Sequence, residues 1–100
     1  MAQLTVIYWR DIPAQVIVRA GRASAKRELP ARFQEAIDRA AMRGGARDTD
    51  SYLAEWRRAD PVACGDDLEA AVARAAADLE AAYDDARLAA LVAGGGRAGG

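Results

Sequence analysis

The chain has 100 residues, enough for one small domain, and a net charge of −1, which lacks the positive excess that nucleic-acid binding needs. It has no histidine and one cysteine, Cys64. That removes the usual general base, the commonest zinc ligand, an internal disulfide and a Cys-rich metal site, so neither a metal nor another cofactor is expected.

Two strand-like runs open the chain. In residues 3–10, Leu4, Val6 and Tyr8 alternate with Thr5, Ile7 and Trp9. In residues 14–20, Val16 and Val18 alternate with Gln15, Ile17 and Arg19. Asp11-Ile12-Pro13 lies between them and reads as the connection, because proline cannot donate to a ladder. The pair predicts an antiparallel hairpin. Residues 21–28, with Arg22, Lys26 and Arg27, read as a basic polar connector.

Helical sequence follows. Pro30 is a favoured first-turn residue, and Phe33, Ala36, Ile37, Ala40 and Ala41 recur at helical spacing as a buried stripe up to Gly44-Gly45. A short second helix begins at Asp48 or Thr49, turns Tyr52, Leu53 and Trp56 inward and ends at Asp60-Pro61. Val62-Ala63-Cys64 suggests a short third strand near 61–64, and Asp66 suggests an N-cap with Glu69 three residues on. Leu68, Val72, Ala75, Leu79, Ala82, Tyr83 and Ala86 trace one stripe, which predicts a third helix over 67–92 with a bend at Asp84-Asp85. Such a helix would be ~39 Å long. That exceeds the rest of the domain and suggests that one end projects or docks on a second chain. Residues 94–100, Gly-rich, read as a disordered tail after a single domain over 1–93. The expected fold is α+β: a hairpin, with a short third strand, packed on three helices.

The large core-forming side chains are few, with one Phe, two Trp and three Tyr, so the core should be thin. Charge is uneven. Residues 1–58 hold eleven Lys/Arg against seven Asp/Glu, and residues 59–100 hold three against eight. Either the two halves attract each other or the basic half faces an acidic partner. No apolar run can span a bilayer and no secretory segment opens the chain, so a cytoplasmic protein without membrane attachment is expected.

Two segments stand out chemically. Trp9-Arg10-Asp11-Ile12-Pro13 joins an aromatic to a charged pair and a rigid turn. Trp56-Arg57-Arg58-Ala59-Asp60-Pro61 repeats that order of types. Trp and Arg are enriched in binding hot spots, and an aromatic, basic surface can hold an anionic group or an acidic helix. The plainer reading makes Trp9 core and lets Arg57 and Arg58 complement a helix C-terminus. On the first reading the contact residues are Trp9, Arg10, Asp11, Trp56, Arg57 and Arg58. Cys64, near a helix start, is either a lowered-pKa thiol or a small buried residue. Asp66-Asp67 and Asp84-Asp85 are adjacent pairs whose side chains diverge on a helix, so neither converges on one ion.

Tyr8-Trp9-Arg10-Asp11-Ile12-Pro13, Arg32-Phe33-Gln34-Glu35-Ala36-Ile37-Asp38, Tyr52-Leu53, Trp56-Arg57-Arg58 and Asp60-Pro61, in that order, resemble the small bacterial "virulence factor" domain family. The likeness spans about residues 3–90, and the same domain occurs in longer proteins named conserved virulence factor C. The resemblance brings no catalytic residues, since the family name describes a phenotype. It also links stand-alone members with methyl-transfer, folate and corrinoid genes. The expected function is a non-enzymatic cytoplasmic accessory domain that binds another protein or self-associates through its last helix. The alternative is a small subunit or anionic-ligand-binding accessory in one-carbon metabolism.

Overall fold

The computed structural model describes residues 2–45 and 48–98. Its elements run β1 (Gln3–Trp9), β2 (Ile12–Ala20), β3 (Ala23–Glu28), α1 (Ala31–Arg43), α2 (Thr49–Ala54), β4 (Trp56–Arg58), β5 (Val62–Ala63), α3 (Leu68–Ala82) and α4 (Asp85–Ala93). The class is α+β, as expected. The sheet is antiparallel with strand order β3-β2-β1-β4, and β5 pairs with the start of β1.

The hairpin forms where the alternation places it, with a tighter connection. Arg10 and Asp11 alone make the turn, and Arg10 takes a positive φ of 53°. Ile12 and Pro13 belong to β2 rather than to the connection. Proline is tolerated there because the register shifts between Ile7 and Tyr8, so that Tyr8 pairs with Pro13 and Trp9 with Ile12.

The basic connector is also a strand. β3 pairs with β2 along its whole length after a two-residue turn in which Gly21 supplies a φ of 60°. Its sequence hides this because only Ala25 is buried. An edge strand needs one ladder and no apolar stripe, and charges such as Lys26 and Arg27 deter further pairing.

Helix α1 matches the predicted stripe: Phe33, Ala36, Ile37, Ala40 and Ala41 are its buried residues. Asp48 caps α2 by accepting from the Ser51 N–H. The second helix ends at Ala54, however, and Trp56, Arg57 and Arg58 leave it to become β4. Arg57 and Arg58 therefore complement no helix dipole. The outer edge of β1 carries backbone groups that need partners, a demand that three residues of local sequence cannot reveal. The short strand expected near 61–64 is present as β5.

The expected long helix over 67–92 is two helices. α3 begins at Leu68 with Asp67, not Asp66, as its cap. The chain leaves helical geometry at Tyr83 (φ −109°, ψ 71°), and Asp84 caps α4 by accepting from the Arg87 N–H at 2.8 Å. The bend expected at Asp84-Asp85 is thus a complete break. Arg32 of α1 locks it, donating to the carbonyls of Tyr83 and of Glu80, the latter at 2.9 Å. Neither α3 nor α4 has the length expected of the single helix, so the length argument for docking on a second chain falls away.

Two apolar clusters fill the interior. One places Val16, Val18 and Ala25 of the sheet against Val72 of α3, with Ala2 beneath. The other gathers Trp9, Ile12, Leu29, Phe33, Ile37, Leu88 and Leu91, joining the hairpin end to α1 and α4. Trp9, Phe33, Ile12 and Ile37 are among the largest fully buried side chains, which bears out a core resting on few large residues.

The Gly-rich segment expected as a tail is, over residues 94–98, bonded to the body. Gly96 accepts from the Asp11 N–H at 2.8 Å, Gly95 from the Arg10 guanidinium at 2.6 Å, and Asp11 Oδ2 accepts from the Ala98 N–H at 2.7 Å. Gly95 and Gly96 are buried. Residues 99 and 100 of that expected tail lie outside the described residues. No helix among the described residues is long and apolar enough to cross a membrane.

Candidate functional site

The two tryptophan-arginine segments lie side by side. β1 and β4 are antiparallel, with Trp9 opposite Trp56, Tyr8 opposite Arg57 and Ile7 opposite Arg58. Opposed residues share a face of the sheet and neighbours alternate. Tyr8 and Arg57 therefore face one way, and Trp9, Trp56 and Arg58 the other.

Trp9 does not reach the surface. It is fully buried, its indole N–H donates to the Tyr52 carbonyl at 2.8 Å, and its ring stacks on Tyr52 at 5.7 Å. Trp56 packs edge-on against Tyr52 at 5.9 Å and is half-buried. Trp9 is thus a core anchor, and of the two tryptophans only Trp56 is in reach of solvent.

Arg10 is likewise mostly withdrawn, its side chain 11% exposed. It lies over the Trp9 ring at 4.8 Å, donates to Gly95, and pairs with Glu55 at 3.4 Å. Its Nε is buried with no hydrogen-bond partner among the described residues. The positive φ at Arg10 is strained for a side chain with a Cβ, and these contacts hold it. Arg10 therefore acts as a clamp for the turn.

Asp11 and Trp56, both half-buried, are left at the surface with Arg57 and Arg58. Arg58 is exposed. Arg57 lies over the Tyr8 ring at 4.6 Å, donates from Nε to the Arg10 carbonyl at 2.9 Å, and pairs with Asp11 at 3.3 Å.

Beside them, the break between α3 and α4 brings two residues that no sequence motif marked. Tyr83 follows α3, and Arg87 lies over its ring at 4.0 Å. Tyr8, Asp11, Arg57, Ala59, Tyr83, Arg87, Leu91 and Ala98 line a cleft of about 350 Å3. Tyr83 belonged to the predicted buried stripe and is half-buried, packing edge-on against Phe33. The one local signal for Arg87 is its place in the first turn of α4, where the helix dipole favours an acid over a cation.

Burial raises the pKa of Tyr8 above the ordinary 10.0, and the neighbouring Tyr83 phenol raises it further. Arg57 and Arg87 act in the opposite direction, which places both guanidinium groups within electrostatic reach of one phenol. The cleft holds two oriented cations, one of them paired with the Asp11 carboxylate, and two phenols beside an apolar wall. Guanidinium groups are the side chains whose paired N–H donors match carboxylate and phosphate oxygens.

No curated protein and no solved structure shows a match to the chain. The family model described as "Virulence factor" matches residues 7–92. The match takes in Tyr8, Asp11, Arg57, Tyr83 and Arg87 and stops short of the segment over 94–98. It covers most of the chain, from the middle of β1 to the end of α4, and the chain belongs to the virulence factor family.

Proposed function

We propose that this member of the family is a non-enzymatic, cytoplasmic accessory domain that binds another protein through the surface where β1 meets β4. The observation that carries the reading is the register of the two strands. It sets Arg57 beside Tyr8 and Asp11, with the exposed Arg58 on the other face of the same short strand. Of the expected contact residues, Arg57 and Arg58 are exposed and Asp11 and Trp56 are half-buried. Trp9 and Arg10 support them from beneath.

Affinity capture from native lysate tests this with wild type, Arg57→Ala and Arg58→Ala side by side, each shown to be folded by circular dichroism. Specific partners retained by wild type and lost from either variant support the reading. Identical retention by all three would defeat it.

A second reading is an accessory role in one-carbon metabolism, holding an anionic ligand of folate or corrinoid methyl transfer. It is favoured by the convergence of Arg57 and Arg87 on one cleft. A saturable thermal shift with tetrahydrofolate, absent from Arg87→Ala, separates it from the first.

A further inference from the structure

We infer that the cleft between β4 and α4 is an oxyanion site, taking a single phosphate or carboxylate head group between Arg57 and Arg87. The inference rests on the recognition reading above and names the chemistry at one point of that surface.

Both arginines are held before any ligand arrives. Arg57 is fixed by the ring of Tyr8, the Arg10 carbonyl and Asp11. Arg87 is fixed by the ring of Tyr83 and by the Ala82 carbonyl, to which its Nη1 donates at 3.1 Å. A guanidinium already oriented loses less rotamer entropy when it binds, so more of the interaction appears as affinity.

The cleft, which Asp11 also lines, keeps one positive charge in excess. Asp11 pairs with Arg57 but also accepts from the Ala98 N–H. Among the described residues no carboxylate forms an ion pair with Arg87. Local structure does not account for that cation either. It sits in the first turn of α4, against the helix dipole, where Asp85 is the residue the dipole favours.

The chemistry around the pair suits an oxyanion. Guanidinium groups donate paired N–H bonds to carboxylate or phosphate oxygens, and phenols donate single ones. Tyr8 and Tyr83 are hydrogen-bonded to each other, which engages one phenol proton of the pair and leaves the other for a ligand. Leu91, Ala59 and Ala98 supply an apolar wall for whatever bears the head group.

Titration calorimetry at constant ionic strength tests the inference with two probes, inorganic phosphate and an acetylated, amidated tetraglutamate peptide. Wild type is compared with Arg57→Ala, Arg87→Ala, Arg87→Lys and, as an exposed control away from the cleft, Arg74→Ala. Each alanine change in the cleft should weaken binding about tenfold or more, the scale of one charge-assisted hydrogen bond. Arg87→Lys should lie between, because the charge stays and the fork is lost. Arg74→Ala should bind as wild type does.

Phosphate binding alone assigns the site to a small molecule, peptide binding alone to a partner's acidic side chain. Mutual competition shows one site serving both. No saturable binding, or equal loss in the Arg74 control, overturns the inference. If it fails while Arg58→Ala still loses its captured partner, the recognition reading survives without the oxyanion site.

Discussion

Trp9 is a fully buried side chain on which several contacts of the fold converge. It closes one end of the β1–β2 pairing, stacks on Tyr52, donates to the Tyr52 carbonyl and supports the Arg10 guanidinium. Trp9→Ala should cost about 3–5 kcal/mol, the range for truncating a fully buried large aromatic. Urea denaturation followed by far-ultraviolet circular dichroism measures it, and a loss below about 1 kcal/mol would contradict the burial. Tyr8, one position earlier, gives a pH signature. Its pKa is raised in the fold, so the folded state prefers the protonated phenol. That preference contributes fully below 10.0 and is lost as pH rises through the folded value. Stability should therefore fall above about pH 10, and Tyr8→Phe should make the fall shallower. Urea midpoints measured from about pH 8 to 11 compare the two chains. Parallel pH profiles would count against the raised value.

At the scale of elements, the break between α3 and α4 shapes the cleft, because it turns Tyr83 and Arg87 toward β4. Three contacts make it a defined corner: the Asp84 cap, the Arg32 bonds to the carbonyls of Glu80 and Tyr83, and the Arg32–Asp85 pair at 3.6 Å. The pair contributes little because Asp85 is almost fully exposed. The cap is the stronger contribution, and Asp84→Ala should cost about 1 kcal/mol, the usual value for losing an N-cap. The same denaturation assay reads it, and Asp84→Asn should recover most of the loss. A run of alanines continues helix through almost any register, and Asp84-Asp85 is locally only a polar interruption. The sequence thus marks where a bend is permitted. The carbonyl-binding arginine that makes it a corner comes from α1, 51 residues away.

For the whole molecule, residues 94–98 act as a strap that joins the end of α4 to the hairpin turn. Gly96 has φ +95°, and a Cβ there would lie 2.9 Å from Trp9 Cζ3 and 3.2 Å from Arg10 Cδ. Gly96→Val should destabilise the domain by about 1–3 kcal/mol through backbone strain and overpacking. Differential scanning calorimetry should show a drop on the order of 4–8 °C for each kcal/mol lost. An unchanged transition would mean that the strap contributes nothing. Arg97 adds a second tie, pairing with Glu55 at 3.2 Å, the same carboxylate that holds Arg10.

The alternation of Leu4 to Trp9 and of Val16 to Arg19, and the stripe from Phe33 to Ala41, determined the hairpin and the first helix. In each case the signal is a buried face written at the period of the element. Asp48 as a cap and the short strand at Val62–Ala63 were legible from local residue chemistry instead. Asp11, Arg57 and Arg58 could be picked out because aromatic, arginine, acid and proline cluster twice in the chain. Only the tertiary structure decided that Trp9 is sealed in the core, that Trp56 begins a strand, that the basic segment at Ala23–Glu28 is a sheet edge, and that Tyr83 and Arg87 complete the cleft. Those outcomes depend on backbone groups and side chains far apart in the chain. Pairing along an edge, and the meeting of β4 with the corner after α3, leave no period in either segment for a local reading to detect.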